Sequence, residues 1–91
     1  MSSRSTDVRI RWDRSAVREA RALTIEARRR VVEAVETLAT DPLRGTPLHA
    51  EWKGFRRLRV AVYRVIYAFD GSELLISVVR VAHRREAYRR R

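Results

Sequence analysis

Residues 55–67 read Phe-Arg-Arg-Leu-Arg-Val-Ala-Val-Tyr-Arg-Val-Ile-Tyr. Apolar and β-branched side chains alternate with arginines, the period of strands that bury one face and wet the other. Arg57 and Arg59 are two apart and therefore project from one side of a strand, and Arg64 lies on the next run. A second group, His83, Arg84 and Tyr88, lies near the end of the chain. Guanidinium groups on sheet positions suit phosphates, because the planar fork donates two parallel hydrogen bonds and keeps its charge. RNA is the first partner that such strands suggest.

Outward from this stretch, Glu73–Val81 is a further strand-like run. Asp70-Gly71-Ser72 before it is a hairpin turn in which the glycine is expected to supply a positive φ. On the other side, residues 43–54 form a loop held by Pro47 and Gly54, with Leu48 and Trp52 as anchors. Thr40-Asp41-Pro42 ends a helix, since proline cannot continue one and disfavours the α conformation just before it. That helix runs from Ile25 to Ala39 behind a Thr24 cap, with Ala27, Val31, Ala34, Val35 and Leu38 on one stripe. Asp13 caps an earlier helix to about Leu23, and Val8–Trp12 alternates as a short strand. Residues 1–7 are polar and flexible, and the stretch from His83 to Arg91 is basic, with helix as one reading. The order β-α-α-β-β-β predicts an α+β fold: an antiparallel sheet with an N-terminal helical hairpin packed on one face. The other face is left to solvent or a ligand.

Ninety-one residues make a single domain, 1–91, with room for one core. Net charge is +10, from 21 basic against 11 acidic residues, which favours polyanions: nucleic acid, an acidic protein segment or an anionic membrane surface. Twenty of the basic residues are arginine and only Lys53 is lysine, a bias that codon usage in a GC-rich genome also produces. Position therefore carries more than number. No run approaches the roughly 20 apolar residues that cross a bilayer, and the N-terminal segment lacks the apolar core of a signal peptide. The absence of cysteine excludes disulfides and thiol chemistry. A cytoplasmic protein without membrane contact, cofactor or metal is the expectation.

Four motifs give the chain a resemblance to the RelE/ParE superfamily of toxins from type II toxin–antitoxin pairs, in its RelE-like branch. Leu38-Ala39-Thr40-Asp41-Pro42 resembles the family's L-A-x-D-P, and Arg57-Leu58-Arg59-Val60 its R-L-R-V. Tyr63-Arg64-Val65-Ile66-Tyr67 matches Y-R-V-I-Y, and Val81-Ala82-His83-Arg84 with Tyr88 resembles the closing V-G-H-R…Y. Ala61-Val62 departs from the family's frequent Gly-Asp, and Ala82 from its glycine. The strand lysines of the best-studied RelE-like enzymes are replaced by Phe55 and Arg57, with Lys53 just outside.

The resemblance implies a RelE-like microbial RNase-type fold and a metal-independent endoribonuclease that cuts mRNA in the ribosomal A site and blocks translation. In that chemistry the ribose 2′-OH attacks phosphorus, so something must take its proton, oppose the charge on phosphate and protonate the leaving oxygen. Arg57, Arg64 and Arg84 are the candidates for binding phosphate and stabilising charge; arginine itself is a poor proton carrier, with a pKa above about 12. Proton carriers are sought among His83, Tyr88, Glu86 and Lys53, because a group titrating near neutrality works best. His83 also reads as a satisfied structural histidine, and Tyr88 as a residue that stacks or packs. Arg59 and Lys53 are RNA-binding candidates, Arg59 equally a solvated strand arginine. Arg56 points away from Arg57, toward the helices or an antitoxin carboxylate. Tyr63, Tyr67 and Trp12 read as core, and His49 as a loop residue facing solvent or partner. Arg28-Arg29-Arg30 reads either as a ribosomal RNA patch or as the wet face of its helix.

The implied partners are a cognate acidic antitoxin, the ribosome and mRNA, with DNA met only through the antitoxin complex. Two other readings stay open: a ParE-like inhibitor of DNA gyrase without nuclease activity, and a catalytically decayed toxin that only binds its antitoxin.

Overall fold

The computed structural model describes residues 8–87. Along them run β1 (Arg9–Trp12), α1 (Arg14–Arg21), α2 (Ile25–Glu36), β2 (Thr46–Pro47), β3 (Arg56–Val60), β4 (Tyr63–Asp70) and β5 (Leu75–His83). Short 3₁₀ turns follow α2 at Thr37–Ala39 and precede β3 at Ala50–Trp52. The α+β order stands as expected, with the two-residue β2 added inside the loop before β3. The strands form one sheet in the order β1-β5-β4-β3-β2.

One ladder corrects the expectation of an antiparallel sheet. The β2–β3, β3–β4 and β4–β5 pairs are antiparallel, but β1 runs parallel to β5, from Arg9↔Leu75 to Trp12↔Val78. Two hairpins return β5 to the direction of β3, and the helical hairpin carries the chain across the sheet. β1 thus meets an edge strand to which no tight turn ties it, and a parallel pairing needs such a long connection.

The helices cover one face. Ala16 of α1, Val31 and Val35 of α2 and Leu38 meet Leu58, Val65, Tyr67, Ile76, Val78 and Val81 in one buried cluster. Each fully buried Val, Leu or Ile is worth about 1.5–3 kcal/mol, so this face supplies most of the stability. Trp12 packs against the cluster from the β1 side, in line with its sequence reading. Thr24 Oγ1 accepts from the Ala27 amide at 3.2 Å, the predicted cap of α2. Asp13 sits at the N-cap position of α1 but makes no side-chain cap bond. Its amide instead extends the β1–β5 ladder to the Val78 carbonyl at 2.9 Å, and its carboxylate lies 3.7 Å from Arg11.

Past Trp12, α1 takes over the edge of β5. The Glu19 carboxylate accepts from the Val81 amide at 2.7 Å, and Ser15 Oγ donates to the Val79 carbonyl at 3.4 Å. Backbone groups that β1 is too short to reach are satisfied by side chains, which also blunts a sheet edge.

Tyr67 locks the loop that follows α2. Its hydroxyl donates to the Pro42 carbonyl at 2.8 Å and accepts from the Gly45 amide at 2.9 Å. Burial raises the phenol's pKa above its ordinary 10.0. Arg56 grips the same loop, its Nη1 donating to the carbonyls of Gly45 at 2.6 Å and Leu43 at 3.2 Å. A Cβ on Gly45 would lie 2.7 Å from the Arg57 carbonyl and 2.8 Å from the Tyr67 ring, so no larger residue fits.

Both hairpin turns put a non-glycine residue in the left-handed region. Between β4 and β5 the positive φ falls on Leu74 (52°), not on Gly71 as expected. The turn is held by Asp70 Oδ1, which accepts from the Ser72 amide (3.0 Å), the Ser72 hydroxyl (2.8 Å) and the Glu73 amide (3.2 Å). With the carboxylate organising the turn, glycine's freedom is not called on. Between β3 and β4, Ala61 has φ 55°, at the position where the resembling family often carries glycine.

Candidate functional site

Residues paired across a ladder share a face, so the register assigns the arginines without ambiguity. Arg59 stands directly opposite Arg64, which is opposite Ala82; Arg57 is opposite Ile66, which is opposite Arg80. Their neighbours Leu58, Val65 and Val81 point into the core. Arg57, Arg59, Arg64 and Arg80 therefore stand on the face away from the helices, grouped around Ile66, whose side chain is fully buried. Direct cross-strand partners such as Arg59 and Arg64 have Cβ atoms about 5 Å apart, and the diagonal pairs Arg57/Arg64 and Arg64/Arg80 about 7–8 Å.

Like charges placed opposite one another cost stability. Among the described residues, none of Arg59, Arg64 and Arg80 has a carboxylate partner. Arg64 is half-buried, its Nη1 donating only a long bond, 3.4 Å, to the Tyr63 carbonyl. Three of the four guanidiniums thus have no carboxylate beside them among the described residues.

Arg80 is the member that sequence reasoning missed. It is the buried charged residue of the chain's described part, only 9% exposed. Its Nη2 donates to the Glu86 carbonyl at 3.0 Å, while its Nε is buried without a partner. A register shift puts it there: Tyr67 pairs with Val78 but Ile66 with Arg80, so Val79 is the extra residue of a β-bulge. Strict alternation from Val78 would turn residue 80 toward the core; the bulge reverses that. The one visible signal was a lone arginine inside the valine-rich run Ser77–Val81.

The C-terminal candidates are placed differently. His83 pairs with Tyr63, and their rings meet edge to face at 6.2 Å between centroids. Tyr63 and His83 thus lie on the helix side at the end of the sheet, across from the arginine cluster. The His83 Nδ1 accepts from the Arg85 amide at 3.2 Å, and the His83 carbonyl accepts from the Glu86 amide at 2.8 Å, so the residue organises the turn that ends β5. Arg84 is exposed in that turn, its amide donating to the Val62 carbonyl at 2.8 Å. Tyr88 lies outside the described residues. Lys53 is exposed in the β2–β3 loop, next to Gly54 with its φ of 95°. Arg29 and Arg30 are exposed on α2, and Arg30 lies 3.9 Å from Glu26 one turn away. No group of His, Asp and Glu among the described residues could hold a metal ion. Nor is any described helix long and apolar enough to cross a membrane.

Comparison with known proteins agrees with this architecture. A family model described as the ParE toxin of the type II toxin–antitoxin system parDE matches residues 10–88. Toxin RelG of Mycobacterium tuberculosis is 35% identical over 83 residues, which cover 89% of this chain and 95% of that one. Among solved structures, the RelBE2 toxin–antitoxin complex from Mycobacterium tuberculosis matches with a TM-score of 0.77 at 32% identity, over 84% of this chain and 96% of the other. The archaeal RelE–RelB complex from Pyrococcus horikoshii OT3 shares the fold, with a TM-score of 0.72 at 24% identity over 87% and 97%. A match that begins in β1 and runs through the arginine-bearing strands covers all but the first two described residues, and this chain belongs to the ParE toxin family, within the RelE/ParE superfamily of type II toxin–antitoxin toxins.

Proposed function

We propose that this toxin is a ribosome-dependent mRNA endonuclease whose arginine face receives the scissile phosphodiester. The observation that carries the reading is the grouping of Arg57, Arg59, Arg64 and Arg80 around Ile66 on one face, with no carboxylate beside Arg59, Arg64 or Arg80 among the described residues. The 2′-OH of one ribose attacks the adjacent phosphorus in line, a cyclic phosphate forms, and the 5′-oxygen of the next nucleotide leaves with a proton. Arg57 and Arg64 hold the phosphate and oppose the charge that grows on its oxygens, each contact worth about 3 kcal/mol of barrier. Arg84 adds charge from the end of β5, and Arg59 and Lys53 bind flanking phosphates. His83 and Tyr88 are the proton carriers of this reading. The antitoxin is an acidic segment that lies over these cations in the cytoplasm and neutralises part of the +10 charge.

Primer-extension mapping on ribosome-bound mRNA tests this. The unaltered chain is expected to leave discrete cuts, and Arg64→Ala to slow cutting by about 10²–10³-fold while remaining folded. Intact mRNA with the unaltered chain ends the proposal.

A second reading, inhibition of DNA gyrase without cleavage, is favoured by one observation: His83 stands on the opposite side of the sheet from the arginine cluster. Under that reading, supercoiling by gyrase stops on addition of the protein and mRNA is left whole. Unchanged supercoiling at micromolar protein removes it.

A further inference from the structure

We propose that the RNA-binding face continues beyond the cleavage cluster to Arg9 and Arg11 of β1, which hold phosphates of the same strand several nucleotides from the one being cut. This rests on the RNA reading above and assigns it a second subsite. The parallel ladder pairs Arg11 with Ser77, and Ser77 pairs with Ala68 on β4, two residues from Ile66 on the same face. Ile10 and Trp12 pack into the core, so Arg9 and Arg11 project outward with the cluster, and both are exposed. Arg11 is held upright rather than loose: its Nη2 donates to Ser77 Oγ at 3.2 Å and stands 3.7 Å from the partly exposed Asp13.

Four residues along β4 separate Arg64 from Ala68, about 13 Å, and two strand spacings, about 10 Å, separate β4 from β1. Arg64 and Arg11 are thus about 16 Å apart on the diagonal, too far to share a phosphate. Arg80 lies between them beside the bulge. Beyond the buried Ile66 and Arg80, the floor toward β1 carries the small side chains Ala68 and Ser77, with exposed Arg9 and Arg11 at its end. Such a floor offers no pocket for the apolar anchors of a peptide helix but suits a polyanionic backbone laid across it. Of the acids near this face, Asp70 has its carboxylate engaged by Ser72 and Glu73, and Asp13 stands 3.7 Å from Arg11.

The test uses labelled single-stranded RNAs fully 2′-O-methylated, so that they bind without being cut, about 4 and about 16 nucleotides long, followed by fluorescence anisotropy. In the doubly substituted Arg9→Gln/Arg11→Gln protein, affinity for the long RNA is expected to fall about tenfold and the salt slope to flatten by about 1.4 for two lost phosphate contacts. Affinity for the short RNA stays the same. Arg14→Gln/Arg18→Gln, which removes equal charge from α1, leaves the preference for long RNA in place. Arg9→Lys/Arg11→Lys keeps the salt slope and guards against a folding defect in the glutamine pair. Equal losses for both lengths, an equal effect from the α1 pair, or loss of binding to an acidic peptide alone would each overturn the subsite. Binding is measured without cleavage: intact ribosomal mRNA with a preserved length dependence ends the nuclease reading and leaves this one standing.

Discussion

The two faces of the central strands obey opposite rules. On the helix-covered side of β4, Val65 and Tyr67 are fully buried, and the Tyr67 hydroxyl both donates and accepts. On the other side of the same strand, Arg64 directly faces Arg59, and buried Arg80 keeps an unpartnered Nε. On the first face the buried phenol is satisfied as donor and as acceptor. The second sets like charges opposite one another across a ladder and holds a poorly compensated buried cation, arrangements that cost stability. Folding does not require them, and under the proposed function the ligand of this face accounts for them.

That contrast breaks most readily at Gly45, where the buried side has no slack. Gly45→Ala is expected to cost about 3 kcal/mol or more, because the new methyl collides with the Arg57 carbonyl and Tyr67 and loosens buried hydrogen bonds. Urea denaturation measures it, and a loss below about 1 kcal/mol would show that the loop is not locked from beneath. The arginine side should respond in the opposite direction. Arg59→Gln is expected to raise stability by about 0.2–1 kcal/mol by relieving Arg64, with the gain shrinking in high salt. A gain independent of salt would place its origin elsewhere.

Smaller effects sharpen the comparison at the turns. Ala61→Gly removes a left-handed cost of about 1–2 kcal/mol but adds freedom to the unfolded chain worth about 0.4–1 kcal/mol, leaving a net gain of about 0–1.6 kcal/mol. A thermal melt that shifts downward would contradict this. Asp70 gives the smallest effect. Hydrogen bonds from the Ser72 hydroxyl, and then from backbone amides, hold its carboxyl below the ordinary 3.8. The stabilisation is therefore fully present above pH 3.8 and disappears as pH falls through the lower folded value. Amide shifts of Ser72 and Glu73 followed through an acid titration should move in that window in the native chain and not in Asp70→Asn.

Much of the fold was legible because its signals are local. Thr24 caps α2, the stripe Val31, Val35 and Leu38 is buried, and β5 falls within two residues of the limits read for it, Glu73–Val81. Arg57 and Arg59 share a face because they are two apart on one strand. Other readings failed where a neighbour outside the local window decided. Gly71 signalled a turn but not which residue would take the positive φ, since a carboxylate three positions wide in its reach set the geometry. Asp13 looked like a cap until its amide was taken by Val78, which is 65 positions away.

By itself the chain of residues determined the order of helices and strands, the stripe that the helices bury, and the placing of Arg57, Arg59 and Arg64 on the outer side. These follow from periods of 2 and 3.6 residues, which any short window displays. Tertiary structure alone decided that β1 lies parallel to β5, bringing Arg9 and Arg11 onto the arginine face. It also decided that a bulge at Val79 turns Arg80 outward and that His83 comes to rest beside Tyr63. Ladder partners and register shifts arise from contacts between residues far apart in the chain, and a one-residue slip reverses the face of everything beyond it.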